Sequence, residues 1–185
     1  EPYVNHPMRV AHACHAVWND PYATLGAVMH DVIEDSSYDE ETLSLWSVAE
    51  EVISVVKLVT RFPNTSRKDY VNNLLASGNV SALRVKIMDA IDNSTWTYRE
   101  ELLHGQTDWK SKRIYYRELA TSLWQAYLKD YKDEHLPDED RTFFKRVIYR
   151  WNELDTLSRR LMNGEIVTDA ELDSRMLSVI KDIDY

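Results

Sequence analysis

Apolar side chains recur at helical spacing through almost the whole chain, and that period limits the fold more than any single motif does. Val48, Val52, Val55, Val56 and Val59 form one such stripe; Phe143, Phe144, Val147, Ile148, Trp151, Leu154, Leu157 and Leu161 form another. No window alternates convincingly with the two-residue period of a half-buried strand. The pattern predicts an all-α fold.

Punctuation residues divide this pattern into elements. A first helix is expected after His6-Pro7, with Val10, Ala11, Cys14 and Val17 on its apolar face, ending at Asn19-Asp20-Pro21. A second is expected from Asp20-Pro21 to about Glu34, and others over 39–45, 47–61 and 66–76. Ser77-Gly78-Asn79 reads as a turn before a helix over 80–91 whose core candidates are Leu83, Val85, Ile87 and Met88. After a polar break at His104-Gly105-Gln106-Thr107, an amphipathic segment over 108–131 carries Trp109, Ile114, Tyr115, Leu119, Leu123, Trp124 and Tyr127. From Pro137 a helical hairpin is expected, its first arm stopping at Gly164 and its second opened by a capping box of Thr168 with Glu171.

Composition then narrows the function. A chain of 185 residues, 44% hydrophobic and 11% aromatic, is long enough for one well-buried core and short for two ordinary domains. The single Cys14 excludes an internal disulfide, and no apolar run approaches the roughly 20 residues that cross a bilayer. With no secretory leader visible, a cytoplasmic protein is expected. A net charge of −9 repels polyanions, which argues against general nucleic-acid or acidic-membrane binding and toward a small ligand.

The chemistry concentrates at Met29-His30-Asp31-Val32-Ile33-Glu34-Asp35, preceded by the apolar run Leu25-Gly26-Ala27-Val28. An imidazole and three carboxylates in such surroundings need partners or a cation to offset desolvation. His6 and Asp89 supply further ligand types, Asp89 from within an apolar helix. Imidazole and carboxylate together suit a first-row divalent ion such as Mn²⁺, Fe²⁺ or Zn²⁺ and leave coordination positions for water and a phosphate oxygen. Hydrolysis of a phosphoester is the reaction that follows.

Three stretches carry a family resemblance: Glu1-Pro2-Tyr3-Val4-Asn5-His6-Pro7, His30-Asp31-x-x-Glu34-Asp35 and Lys86-Ile87-Met88-Asp89-x-x-x-Asn93. In order and spacing they resemble the HD hydrolase domain of the RelA/SpoT family. The similarity covers roughly residues 1–98, with a weaker echo at Ile114-Tyr115-Tyr116-Arg117-Glu118-Leu119-Ala120. It implies an HD-domain helical bundle, expected over 1–131; the additional C-terminal helices expected over 132–185, packed on the same core, carry no such resemblance. It further implies one Mn²⁺, or another divalent first-row metal, held by His6, His30, Asp31 and Asp89, and removal of the 3′-pyrophosphate from the alarmone (p)ppGpp. Glu34 and Asp35 match the family's catalytic pair, which orients and deprotonates the attacking water or protonates the leaving group; Asn93 matches a position that contacts the nucleotide. One departure is clear: the family's Asp-Arg-Leu-His-Asn is here Asp89-Ala90-Ile91-Asp92-Asn93, so a cation and an imidazole are replaced by alanine and an acid. Alternatives of the same chemistry are a phosphohydrolase for a dNTP or cyclic nucleotide; one of another class is a nucleotide-sensing module without turnover.

Other residues have plainer readings. His12 and His15 sit three apart but lack a carboxylate partner, so solvated imidazoles are expected rather than a second metal pair. Lys57, Arg61, Arg67, Lys68, Arg84 and Lys86 could rim the site and steer phosphate, Lys86 being the strongest substrate-binding candidate. Cys14 is expected in the core, and the aromatic residues of the last third in packing.

Overall fold

The computed structural model describes residues 4–104, 107–130 and 138–163, together with positions 165, 168 and 170. Among the described residues there are nine helices and no strand: α1 Asn5–Trp18, α2 Pro21–Met29, α3 Val32–Asp35, α4 Glu40–Leu45, α5 Glu50–Val59, α6 Arg67–Ala76, α7 Val80–His104, α8 Thr107–Asp130 and α9 Asp138–Met162. The fold is all-α, as the apolar period requires.

Side-chain caps set several of these boundaries. Asp20 opens α2 by accepting the backbone N–H groups of Tyr22 and Ala23, both at 3.0 Å. Asp39 caps α4 through Thr42 N–H, and Ser66 caps α6 through Asp69 N–H. Asn19 ends α1 in the left-handed region, φ 47°, a conformation asparagine tolerates better than most residues. Gly78 takes φ 65° in the turn before α7.

The chain groups into two compact units, Glu1–Asp89 and Ala90–Tyr185, the division falling inside α7. In the first unit α1 packs on α2, α2 on α5, and α5 also meets α3, α4 and α6. Leu43, Val52, Ile53 and Val56 form a buried cluster on which the half-buried Met29, Val32, Ile33 and Val48 pack. That contact seats the segment around His30 and Asp31 on α4 and α5. In the second unit Trp124 stacks on Phe144 at 5.0 Å, and the Tyr98 hydroxyl donates to the Leu154 carbonyl at 2.6 Å. The buried Trp124, Tyr127 and Trp151 are packing residues.

Several boundaries and faces differ from the expectations. The helix expected from Asp20 to Glu34 is interrupted at His30-Asp31, and α1 begins at Asn5, so His6 lies inside its first turn. The helix expected over 47–61 is shorter, and the one expected to end at Ile91 continues to His104. Leu25, expected in an apolar shell, is 51% exposed; Ile114 and Ile148 also face solvent, and Val17 is half-buried. On α8 the buried neighbour is instead Arg113, which lies 4.4 Å over the Tyr98 ring and pairs with Asp155 at 3.2 Å. Pairing makes that burial tolerable. Residues 1–3, 105–106 and 131–137, Gly164 and, but for positions 168 and 170, the final helix expected from Thr168 with Glu171 lie outside the described residues, as does the burial of Trp109 and Leu161.

Candidate metal centre

His30 is the most deeply placed residue of the site. It follows the last residue of α2, where carbonyls lack intrahelical donors, and its Nδ1–H donates to the Ala27 carbonyl at 2.7 Å. A carbonyl can only accept, so Nδ1 carries a proton whether the ring is neutral or charged, and Nε2 faces the other way. The chain then turns at Asp31, φ −97° and ψ −3°, before α3 begins. Within an unbroken helix adjacent side chains point about 100° apart and do not face each other; across this turn His30 Nε2 and Asp31 Oδ1 lie 3.2 Å apart.

Two distant segments complete the cluster. His6, from the first turn of α1, places Nε2 3.2 Å from His30 Nε2 and 3.9 Å from Asp31 Oδ2. Asp89, from α7, places Oδ1 3.3 Å from His6 Nε2 and 3.6 Å from His30 Nε2. His6, His30 and Asp31 each offer one ligand atom, all within 4.8 Å of one another. Ligand atoms about 2.1 Å from a common ion are about 3.0 Å apart at right angles and about 3.4 Å apart at tetrahedral angles. The three shortest separations, 3.2, 3.2 and 3.3 Å, fall in that range and the other two, 3.6 and 3.9 Å, are longer; two imidazole nitrogens with two carboxylates are a donor set suited to a first-row divalent ion. His6, His30 and Asp31 could together hold such an ion, and Asp89 lies beside them.

The electrostatics are lopsided. The His30 and Asp89 side chains are 1% and 3% exposed, those of His6 and Asp31 17% and 24%, so the cluster is open to solvent on the His6–Asp31 side. Burial alone would raise the Asp89 carboxyl, but Lys86 beside it and hydrogen bonds from His30 and His6 outweigh that and hold it well below the usual carboxylate range. Burial likewise works against a charged His30, yet the hydrogen bond and charge of Asp89, with Asp31 behind them, raise its basicity. His30 and Asp89 thus each stabilise the ionised form of the other.

Glu34 and Asp35 lie on α3, both exposed. The Arg61 backbone N–H donates to Glu34 Oε2 at 3.0 Å, tying that carboxylate to the segment after α5. Asn93 is four residues beyond Asp89 on α7 and belongs to the second unit. Lys86, expected to meet substrate, places Nζ 2.6 Å from Asp89 Oδ2. Two other members of the expected cationic rim are also committed to acids: Lys57 to Glu40 at 3.0 Å and Arg84 to Asp20 at 2.9 Å. His12 and His15 are exposed on α1, and Cys14 is buried. The Ala27 carbonyl and the Arg61 N–H were missed by sequence reasoning, because a backbone group has no residue-type signature. The three-residue spacing of Lys86 and Asp89 could have revealed their pairing.

The chain is similar to three guanosine-3′,5′-bis(diphosphate) 3′-pyrophosphohydrolases. It is 35% identical over 101 residues to that of Haemophilus influenzae, covering 50% of this chain and 15% of the relative. It is 28% identical over 109 residues to a probable one of Mycoplasma genitalium, covering 50% and 15%, and 28% identical over 109 residues to that of Aquifex aeolicus, covering 55% and 16%. The chain thus spans about 15% of the length of these relatives. No family model and no solved structure matches it.

Proposed function

We propose that this chain is a metal-dependent phosphohydrolase that removes the 3′-pyrophosphate from guanosine 3′,5′-bis(diphosphate) or its close relatives. The observation that carries the reading is the approach of His6, His30, Asp31 and Asp89, from three separate segments, with ligand atoms of neighbouring residues 3.2 to 3.9 Å apart. The named activity of the similar proteins points to the same substrate class.

His6, His30, Asp31 and Asp89 would hold one divalent ion, Mn²⁺ in this proposal. When bound, the ion supplies Lewis acidity toward a phosphoryl oxygen and lowers the pKa of water. The chain's own residues do the rest. Ala27 keeps the His30 ring in the tautomer that offers Nε2 outward. The more exposed His6 and Asp31 face the side from which a phosphate can approach. Glu34 and Asp35 act as the proton-handling pair, taking a proton from the attacking water and returning one to the sugar 3′ oxygen as its bond to phosphorus breaks. The Arg61 N–H orients Glu34 for this work. Asn93 is assigned to the nucleotide on the resemblance alone. The ligand is a small nucleotide rather than a nucleic acid, since a net charge of −9 disfavours docking on an extended polyanionic surface, and a cytoplasmic setting belongs to the same proposal. Among the described residues no helix is long and apolar enough to cross a membrane.

Incubation of the pure protein with Mn²⁺ and a panel of ppGpp, pppGpp, dNTPs and cyclic nucleotides, followed by product analysis, tests the reading. Release of pyrophosphate from ppGpp is expected. Cleavage of another member of the panel with ppGpp left intact would replace the substrate, and no turnover at all would remove the enzymatic reading.

A further inference from the structure

Lys86 carries a charge inside the protein whose partners are all fixed. Its side chain is 14% exposed, its Nζ is 2.6 Å from Asp89 Oδ2, and it sits 5.5 Å over the face of Tyr70. Tyr70 is itself 5% exposed and anchored by its hydroxyl, which donates to the Val59 carbonyl at 2.8 Å. Lys86 and Asp89 lie three residues apart on α7, the spacing at which helix side chains meet. The aromatic face below and the carboxylate beside it offset the cost of burying the ammonium.

The pairing divides the labour of one carboxylate. Asp89 Oδ2 belongs to Lys86, whereas Oδ1 is the oxygen directed at His6 Nε2 and His30 Nε2. We infer that Lys86 is a positioning residue that limits Asp89 to a single ligand oxygen and thereby selects the class of ion the centre accepts; this rests on the metal-dependent reading above. Ca²⁺ takes six to eight oxygen ligands and commonly uses both oxygens of a carboxylate, whereas first-row ions are satisfied by fewer donors, imidazole among them. With Oδ2 held by the ammonium, the four residues cannot assemble an oxygen-rich shell. The centre therefore favours Mn²⁺ over Ca²⁺, and Lys86 contributes to that preference without touching the ion.

The test is the Mn²⁺ and Ca²⁺ dissociation constants of the full chain, read by competition with a chelating dye, for the parent and for Lys86→Met and Lys86→Arg. The parent should prefer Mn²⁺. Methionine fills similar space but frees Oδ2, so Mn²⁺ binding should weaken by about tenfold or more, the usual effect of losing a group that orients a ligand, while Ca²⁺ binding does not weaken. Arginine, which can still donate to Oδ2, should restore most of the parent ratio. A general loss of structure would weaken both ions in proportion and leave the ratio alone; that result, or an unchanged ratio with unchanged Mn²⁺ binding, overturns the inference and leaves the metal reading standing. A parent chain that binds Ca²⁺ as tightly as Mn²⁺ overturns the inference whatever the variants do, and a parent that binds neither ion refutes the metal reading along with it.

Discussion

Asp20 and Arg84, 64 positions apart in sequence, pair at 2.9 Å and join the start of α2 to α7. The same carboxylate accepts two N–H groups of α2 and the Ser81 hydroxyl, at 2.7 Å. Burial opposes its ionisation, but the Ala23 N–H, Ser81 and Arg84 outweigh burial and lower its pKa. A carboxyl lowered in the folded state adds stability that is fully present above its unfolded pKa of about 3.9, and that is lost as pH falls through the folded value. Asp20→Ala, which removes both cap and ion pair, should cost about 2 kcal/mol near neutral pH in chemical denaturation. The difference from the parent should shrink toward pH 3. A difference that stays constant with pH would mean the carboxylate charge is not involved.

Removal of the ion should be visible as a loss of stability. The two carboxylates of the cluster lose their counter-ion on chelation, so the melting temperature should fall, and the fall should depend on the concentration of restored Mn²⁺. His30→Ala and Asp89→Ala should show lower metal content after dialysis against a chelator and return to buffer with Mn²⁺. Unchanged content in both variants would contradict the ligand assignment.

Replacing Glu34 by Gln or Asp35 by Asn should separate proton handling from metal retention. Neither residue is part of the imidazole–carboxylate cluster, and each amide is nearly isosteric with the acid but cannot accept a proton. Metal content should persist while hydrolysis of ppGpp falls by on the order of 10²-fold or more. Parent-like rates in both variants would show that other groups move the proton.

A tighter, purely steric prediction concerns Gly26, where α2 packs on α5. A methyl group added there would run into Val55 Cγ1, and Val55 is fully buried. Gly26→Ala should destabilise the chain by about 1–3 kcal/mol, the range for overfilling a packed core. The same substitution should cost less in a Val55→Ala background, since the two changes share one space. Equal costs in both backgrounds would show that the helices separate freely.

Helices were legible because burial imposes a period on sequence, and the candidate cluster was legible because His6, His30, Asp31 and Asp89 are ligand types in otherwise apolar company. The interruption at His30-Asp31 was not, since it depends on a side chain taking the Ala27 carbonyl, and any carbonyl looks alike in sequence. Ile114 and Ile148 were misplaced for a related reason: a stripe has edges, and period alone does not say which edge is covered. Arg113 took the covered position through Asp155 and the Tyr98 ring, partners 42 and 15 residues away in sequence. The Lys86–Asp89 pair rests on a three-residue helical spacing that the sequence does display.

The enclosed Cys14 gives this chain a built-in clock. Its thiol shares α1 with His6, is 0% exposed, and is pushed well above its ordinary pKa by burial. Alkylating reagents attack only the thiolate and only where they can reach it, so the folded chain should label at the rate at which α1 leaves its neighbours rather than at the rate of the chemistry. Because His6 would be tethered by a bound ion, the labelling time followed by intact mass should lengthen with added Mn²⁺, which makes one sulfur atom a reporter of how firmly the centre holds the first helix in place.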